Sequence, residues 1–142
     1  MRTSARNQFN GVISNLRQGA VNDEVEVTLA GGSKLAAVVT RDSSQSLNLA
    51  VGKDVVALVK APWIVLATGA DDLQFSARNQ FTGTVSAVIK GAVNSEVLLA
   101  LDGGLPLAAV ITNDSVADLE LAAGKKATAL FKASSVILAV KK

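Results

Sequence analysis

The sequence contains no cysteine and no histidine among its 142 residues. Without cysteine there are no disulfides and no thiolate nucleophiles, and without histidine the commonest general base at neutral pH is missing. Zinc sites of the usual kind are excluded as well, because cysteine and histidine supply most of their ligands. The sequence shows neither a nucleophile paired with a base nor a cluster of catalytic metal ligands. We therefore do not expect an enzyme.

Aromatic residues and long apolar runs are also scarce. The chain has four Phe, one Trp and no Tyr, so Val, Leu, Ile and Ala have to fill its interior. The longest uncharged runs, residues 79–89 and 103–113, are much shorter than the roughly 18 to 20 residues that a membrane helix needs. No charged segment followed by an apolar one opens the chain, as it would in a signal peptide. These absences predict a cytoplasmic protein that does not enter a membrane.

The charges that are present nearly balance in a largely apolar chain. There are 14 Lys and Arg against 12 Asp and Glu, a net charge of +2, and 49% of the residues are hydrophobic. This composition predicts a folded globule. It gives little support for nucleic acid as a partner, because phosphate contacts need clustered positive charge and stacking needs aromatic rings. Binding of single-stranded nucleic acid is kept only as an alternative function.

The chain is a tandem repeat. Residues 4–66 align without a gap on residues 76–138, an offset of about 72, with roughly half of the positions identical. The stretch of residues 68–72 is rich in small and acidic residues and separates the two copies. It predicts two domains, residues 1–69 and residues 70–142. Domains of this size are marginal alone, which favours burial against each other or against a further copy of the chain.

Within the first unit the apolar residues alternate with a period of two, which is typical of β-strands. The second unit repeats the plan, except that residues 97–101 are more uniformly apolar. Residues 24–29 alternate and are followed by Gly31 and Gly32, which predicts a hairpin with residues 34–40. Gly11 lies inside the first predicted strand, where we expect a bulge or a sharp bend. The predicted strands of the first unit are residues 9–16, 24–29, 34–40, 54–60 and 63–68.

One short helix is predicted between the third and fourth strands. Asp42 or Ser43 is expected to cap its start, and the helix runs through Leu49 and is closed by Gly52. Five short strands with a helical insert at this place are typical of the oligonucleotide/oligosaccharide-binding barrel. The fold class is therefore all-β, with two tandem OB-fold-like five-stranded barrels, each with a short helical insert. A plain β-sandwich is the alternative.

Polar residues at the predicted strand ends are candidates for an anion site. Ser4 offers a hydroxyl and Arg6 a charged fork of donors. The alternative for Arg6 is an exposed strand end, with the side chain in solvent or paired with Glu24. Lys60 lies between two predicted strands and is either a solvated cap or a ligand. Thr40 precedes the predicted helix, where its hydroxyl serves either an anion or the helix cap.

The GAVN segment, residues 19–22 and again 91–94, has two interpretations that the residue spacing does not separate. It is either an ordinary turn between strands, in which Asn tolerates a left-handed conformation, or a loop that presents N–H groups around a symmetry axis.

Taken together, these motifs resemble those of the molbindins, or Mop domains, and specifically the tandem di-Mop type. Several ordered motifs at the same spacing in both units make the resemblance specific, and it covers nearly the whole chain. The motifs are SARNxFxGxV at residues 76–85 and, with Ile13 in the last place, at residues 4–13; GAVNxEV at residues 19–25 and 91–97; and KAPWIVL at residues 60–66 with KASSVIL at residues 132–138.

The resemblance implies a fold similar to the predicted barrel and assembly of the two-unit chains into a homotrimer. It implies intracellular binding of molybdate for molybdenum storage and homeostasis, with tungstate as a competitor and with no metal held directly by side chains. In that family, oxyanions bind at interfaces between units. The same module also occurs fused to regulatory and transport proteins, so a regulatory or transport accessory domain is an alternative.

The resemblance also assigns site residues. One class of oxyanion site would use Ser4, Arg6, Lys60 and Ala61 with Thr40 from a neighbouring unit, and in the second unit Ser76, Arg78, Lys132, Ala133 and Thr112. A possible second class, on the symmetry axis, would use Gly19, Ala20, Val21, Asn22, Gly91, Ala92, Val93 and Asn94. The units differ where Ser134 and Ser135 replace Pro62 and Trp63, which implies that their sites are not equal.

Overall fold

The computed structural model describes residues 2–69 and 72–142. The first unit consists of β1 (Asn7–Arg17), β2 (Asn22–Leu29), β3 (Lys34–Thr40), α1 (Arg41–Ser46), β4 (Asp54–Val59) and β5 (Val65–Ala67). The second consists of β6 (Asn79–Lys90), β7 (Asn94–Leu101), β8 (Pro106–Thr112), α2 (Asn113–Asp118), β9 (Lys126–Phe131) and β10 (Ile137–Ala139). A single 3-10 turn precedes the last strand of each unit, at Ala61–Trp63 and at Ala133–Ser135. The predicted all-β order, with a short helix after the third strand, is confirmed.

The strands form two curled antiparallel sheets, and each sheet takes its edge strand from the other unit. The orders are β10-β4-β1-β2-β3 and β5-β9-β6-β7-β8. Ala139 of β10 is the register partner of Val56 on β4, and Ala67 of β5 is the partner of Thr128 on β9. The two units therefore exchange their last strands.

The division into residues 1–69 and 70–142 follows the repeat of the sequence and remains a proposal. Of the predicted linker, residues 68–72, Ala70 and Asp71 lie outside the described residues. None of the helices within the described ranges is long and apolar enough to cross a membrane.

The prediction of a bulge at Gly11 is wrong. The register of β1 against β2 shifts between Ile13 and Asn15, so the irregularity lies further along the strand. A Cβ at Gly11 would lie 2.5 Å from Cγ1 of Val27 and 2.8 Å from the carbonyl oxygen of Thr28. This glycine therefore permits a close approach of the two strands, which is the other use of glycine inside a strand.

The predicted ends of the first helix are also wrong. The N-cap is Thr40, not Asp42 or Ser43, because Thr40 has the extended backbone that a cap requires and its hydroxyl accepts the N–H of Ser43 at 3.1 Å. The helix ends at Ser46, before Asn48, whose φ of 54° turns the chain out of the helix. Gly52 instead lies in the turn before β4, where its N–H donates to the carbonyl of Ile13 at 2.8 Å.

One apolar cluster runs through both units. It is built mainly from aliphatic side chains, as the scarcity of aromatic residues predicts, and Phe131 stacks on Phe81 with 5.7 Å between the ring centroids. Full burial of one such side chain contributes about 1.5 to 3 kcal/mol. The largest fully buried apolar side chains come from both units: Ile13, Leu35, Leu99, Leu107 and Phe131.

Candidate functional site

The cationic residues predicted for the first site meet at one end of the first sheet. Asn7 of β1 is the register partner of Val59 of β4. Arg6 lies one residue before Asn7 and Lys60 one residue after Val59, and Ser4 lies two residues before Arg6. The β-ladder therefore places the SARNQF segment beside the end of β4.

The second unit repeats this arrangement. Asn79 pairs with Phe131, so Arg78 and Lys132 flank the equivalent end of the second sheet. Ser76 and Lys132 line one groove of about 570 Å³ at this end. Two of the residues predicted for the second site are thus brought together.

Trp63 of the first unit also lines the groove that holds Ser76 and Lys132. Its ring lies 5.6 Å from the ammonium of Lys60, and the side chain remains 43% exposed. The corresponding residue of the second unit is Ser135, which lines the same groove. The single tryptophan is therefore next to lysines of both predicted sites.

The 3-10 turns carry the predicted alanine ligands across the junction between the units. The turn that begins at buried Ala61 packs on β8, which ends at Thr112. The turn that begins at buried Ala133 packs on β3, which ends at Thr40. Within one chain, the Lys60 end of the first unit thus faces the threonine strand of the second unit, and the Lys132 end faces that of the first.

Both threonine hydroxyls are engaged in helix caps. Oγ1 of Thr40 accepts the N–H of Ser43 and donates to Oγ of Ser43 at 2.8 Å. Thr112 makes the same contacts with Ser115, at 3.1 and 2.9 Å. The helix cap is therefore formed at both threonines, and their role as anion ligands stays a prediction.

Both predicted arginines make ion pairs across the junction. Nη1 and Nη2 of Arg6 donate to the two carboxylate oxygens of Glu96 on β7, each at 2.6 Å. The pKa of Arg6 is raised by these hydrogen bonds and by the charge of Glu96. Nη1 of Arg78 donates to Oε1 of Glu24 on β2 at 3.0 Å. A pair between Arg6 and Glu24 is therefore not formed, because each arginine contacts the glutamate of the other unit.

In the first GAVN turn two carbonyls are hydrogen-bonded, whereas the central N–H groups are open. Arg41 donates to the carbonyls of Gly19 and Val21 at 2.8 and 2.9 Å. Within the described residues, the N–H groups of Ala20 and Val21 have no protein acceptor, and Val21 is 73% exposed. Asn22 begins β2 directly after this turn.

The second GAVN turn is built in the same way. Asn113 donates to the carbonyls of Gly91 and Val93 at 3.0 and 2.8 Å. The amides of Ala92 and Val93 have no acceptor in the described part of the chain, and Asn94 begins β7. Both turns can therefore present unpaired N–H groups to an anion.

Asn7 and Asn79 are residues that sequence reasoning missed. Nδ2 of Asn7 donates to the carbonyl of Ala108 at 2.8 Å, and Oδ1 accepts the N–H of Ala108 at 2.8 Å. Asn79 makes the same two bonds with Ala36. Both side chains are buried and hold the arginine-bearing segment on the other unit. The signal was the unbroken repetition of SARNQF.

The donors at this junction suit an anion. They are guanidinium, ammonium, hydroxyl and backbone N–H groups, all of which form charge-assisted hydrogen bonds with oxyanions. Within the described ranges, no group of three or more His, Cys, Asp or Glu residues is placed to hold a metal ion.

Comparison with known proteins gives consistent matches along the chain. A profile of the TOBE domain matches residues 3–66 and residues 76–138. Over 140 residues the chain is 48% identical to molybdenum transport protein ModE of Herbaspirillum seropedicae and 47% identical to molybdenum-pterin-binding protein MopA of Rhodobacter capsulatus. Each alignment covers 99% of this chain but only 52% and 53% of these relatives. The chain thus spans about half the length of the curated relatives it matches.

Among solved structures, the chain is similar to the cytoplasmic molybdate-binding protein ModG in a crystal form with molybdate bound. The TM-score is 0.96 and the identity 54%, over 99% of this chain and 100% of that one.

Proposed function

Because the chain belongs to the TOBE domain family, with two such domains in tandem, we propose that it binds molybdate and serves molybdenum storage and homeostasis. The observation that carries this proposal is the match along the full length of both chains to ModG, whose crystals hold molybdate. The names of the relatives, a molybdenum transport protein and a molybdenum-pterin-binding protein, agree with it. We place the protein in the cytoplasm, as ModG is described.

The chemistry of the junction fits a tetrahedral dianion. Two cations offset its charge, and hydroxyl and N–H groups satisfy its oxygens. Charge-assisted hydrogen bonds contribute roughly 1.5 to 3 kcal/mol each, so several of them suffice for micromolar affinity after ordering costs. Tungstate, with the same charge and shape, competes. The proposed ligands are Ser4, Arg6, Thr40, Lys60, Ala61, Ser76, Arg78, Thr112, Lys132 and Ala133, with the two GAVN turns as a second class of site.

We further propose that the chains assemble as a homotrimer. Apolar side chains on the last strands remain exposed in a single chain, 60% for Val65 and 52% for Ile137. Val21 and Val93, at the centres of the GAVN turns, are 73% and 70% exposed. Contact with further copies of the chain would cover these side chains and would bring several GAVN turns around one axis.

A second candidate function is favoured by the length of the relatives. Because the chain spans about half of ModE, the same fold can serve as the anion-binding part of a regulatory or transport protein. Co-purification of this chain with a transporter or with DNA from the source cells favours that alternative, and a free homotrimer that takes up molybdate favours storage.

The proposal is tested by calorimetric titration of the purified chain with molybdate. Sulfate and phosphate are the matched controls, and light scattering fixes the mass of the sample. We expect uptake of molybdate and tungstate but not of sulfate, with more than one anion per chain. A well-folded assembly that takes up none contradicts the proposal, and retention on single-stranded DNA is then the next measurement.

The cationic ligands are tested by replacing Arg6 and Arg78 with Ala. We expect the affinity for molybdate to fall by about tenfold or more, because each guanidinium forms charge-assisted bonds. Replacement of Lys34 and Lys126 with Ala is the control, since it removes the same charge from exposed pairs with Glu26 and Asp102. Equal affinity in the two double variants contradicts the assignment of the arginines.

A further inference from the structure

The arginines of the proposed sites already hold an anionic group. The carboxylate of Glu96 fills the guanidinium fork of Arg6 with two bonds of 2.6 Å, and its side chain is only 19% exposed. The carboxylate of Glu24 contacts Arg78 at 3.0 Å. In each case the glutamate comes from the other unit, so the contact recurs under the internal repeat.

The two glutamates differ in their remaining partners. Glu24 also lies 3.6 Å from Nη1 of Arg17, its register partner on β1. The register partner of Glu96 on β6 is Ile89, which carries no charge. Within the described residues, both oxygens of Glu96 are bonded to Arg6 and no second cation contacts it.

A carboxylate and a tetrahedral oxyanion compete for the same guanidinium N–H groups. Arginine binds both through its planar fork of donors. A dianion beside the carboxylate is also repelled, because like charges close to each other repel even in water. The glutamate therefore has to leave the fork before the arginine can hold the anion.

We propose that Glu24 and Glu96 are resident counter-ions of the oxyanion sites, each filling the arginine fork of the other unit until an oxyanion displaces it. This inference rests on the proposed function and extends it to two acidic residues that set affinity. Because Glu24 keeps Arg17 after it leaves Arg78, whereas Glu96 loses its cation, the Arg78 site fills at a lower anion concentration than the Arg6 site.

Calorimetric titration of the full chain with molybdate tests the proposal through Glu96→Gln. The matched control is Glu26→Gln, which removes the same charge from a carboxylate that contacts Ser14 and Lys34. We expect Glu96→Gln to bind about tenfold more tightly than the control, since a repelling charge and a competing acceptor are both removed. For Glu24→Gln we expect a gain of only about threefold, because Arg17 already draws this carboxylate aside.

The arginine is the second arm of the test. In the Arg6→Ala background, Glu96→Gln is expected to give no gain in affinity for molybdate, because without Arg6 the glutamate has no guanidinium to occupy. Binding by Glu96→Gln that equals or falls below that of Glu26→Gln, in a wild-type protein that takes up molybdate, overturns the counter-ion proposal and leaves the proposed function standing. Failure of the wild type and of every variant to take up molybdate overturns both.

A charge-neutral exchange tests the order of filling. Arg17→Ile together with Ile89→Arg keeps the net charge and moves the second cation from Glu24 to Glu96. In this background, Glu24→Gln has to give the larger gain in affinity and Glu96→Gln the smaller. An unchanged order overturns the role of the second cation. Thermal unfolding checks the variants, and both positions are exposed on their strands.

Discussion

At the scale of single residues, the side chains of Asn7 and Asn79 each form the two hydrogen bonds that a neighbouring strand would form. Each side-chain amide pairs with both the N–H and the carbonyl of one alanine on the other unit, Ala108 or Ala36. Buried polar groups that are fully hydrogen-bonded carry little cost, and these also fix the position of the arginines next to them in the chain. The junction between the units therefore depends on two neutral side chains as well as on ion pairs.

We expect Asn7→Ala to lower the free energy of unfolding by about 2 to 3 kcal/mol, because the N–H and the carbonyl of Ala108 lose their partner in a buried place. Denaturant unfolding at fixed protein concentration measures the change. Asn10→Ala is the matched control, since Asn10 lies on the same strand with its side chain exposed. Equal midpoints for the two variants would show that the asparagine contact adds nothing to stability.

The sequence revealed the block that contains these asparagines but not what they do. Asn7 and Ala108 are 101 residues apart in the chain. No local pattern records a contact at this distance, whereas the hydroxyl of Ser4 and the charge of Arg6 suggest chemistry by residue type alone. The same limit applies to Glu96, whose pairing with Arg6 follows from the packing of β7 against the other unit.

At the scale of secondary-structure elements, the largest difference from the prediction is at the helix starts, where a threonine is the N-cap. Each has six residues and begins after a threonine that ends a strand. An N-cap requires an extended backbone and a side-chain acceptor, and the threonine at the end of the preceding strand has both. The 3-10 turn at Ala61–Trp63, which contains Pro62, likewise shortens the last strand to Val65–Ala67 from the predicted residues 63–68.

The helix cap predicts that the hydroxyl of Thr112 contributes to the stability of the protein. We expect Thr112→Ala to lower the free energy of unfolding by about 1 kcal/mol, because the N–H of Ser115 loses its acceptor. Thr112→Ser keeps the hydroxyl, so we expect it to lower the free energy of unfolding by only a few tenths of a kcal/mol. Thermal or denaturant unfolding of both variants measures the difference, and an alanine variant as stable as the serine variant would contradict the cap.

At the scale of the whole molecule, the exchange of last strands ties the two repeats into one structure. Sheet hydrogen bonds link β10 to β4 and β5 to β9, so neither sheet is complete without the other half of the chain. The apolar cluster is shared as well. A unit of this size buries too little surface to be stable alone, and the shared sheets and apolar cluster bury more.

A pair of introduced cysteines tests the exchange, and the absence of native cysteine makes the experiment clean. Val56→Cys with Ala139→Cys is expected to form a disulfide within one chain on oxidation, since these residues are register partners across β4 and β10. Val56→Cys with Ala67→Cys is the control, because Ala67 holds the equivalent place in the first unit but pairs with Thr128. Electrophoresis without reductant distinguishes the products.

A disulfide in the control, and none in the first pair, would mean that each unit keeps its own last strand. Disulfides that join separate chains would place the exchange between molecules.

By itself the sequence determined the repeat, the succession of strands along the chain, the helical insert and the absence of histidine and cysteine chemistry. All of these follow from local composition and periodicity, which the printed chain contains in full. Only the tertiary structure decided which sheet receives each last strand and which glutamate meets each arginine. A strand such as β5 has the same alternation whichever sheet edge it joins. The guanidinium of Arg6 is equally complementary to the carboxylate of Glu24 and to that of Glu96. Those choices depend on long-range packing, which acts between residues that the sequence keeps far apart.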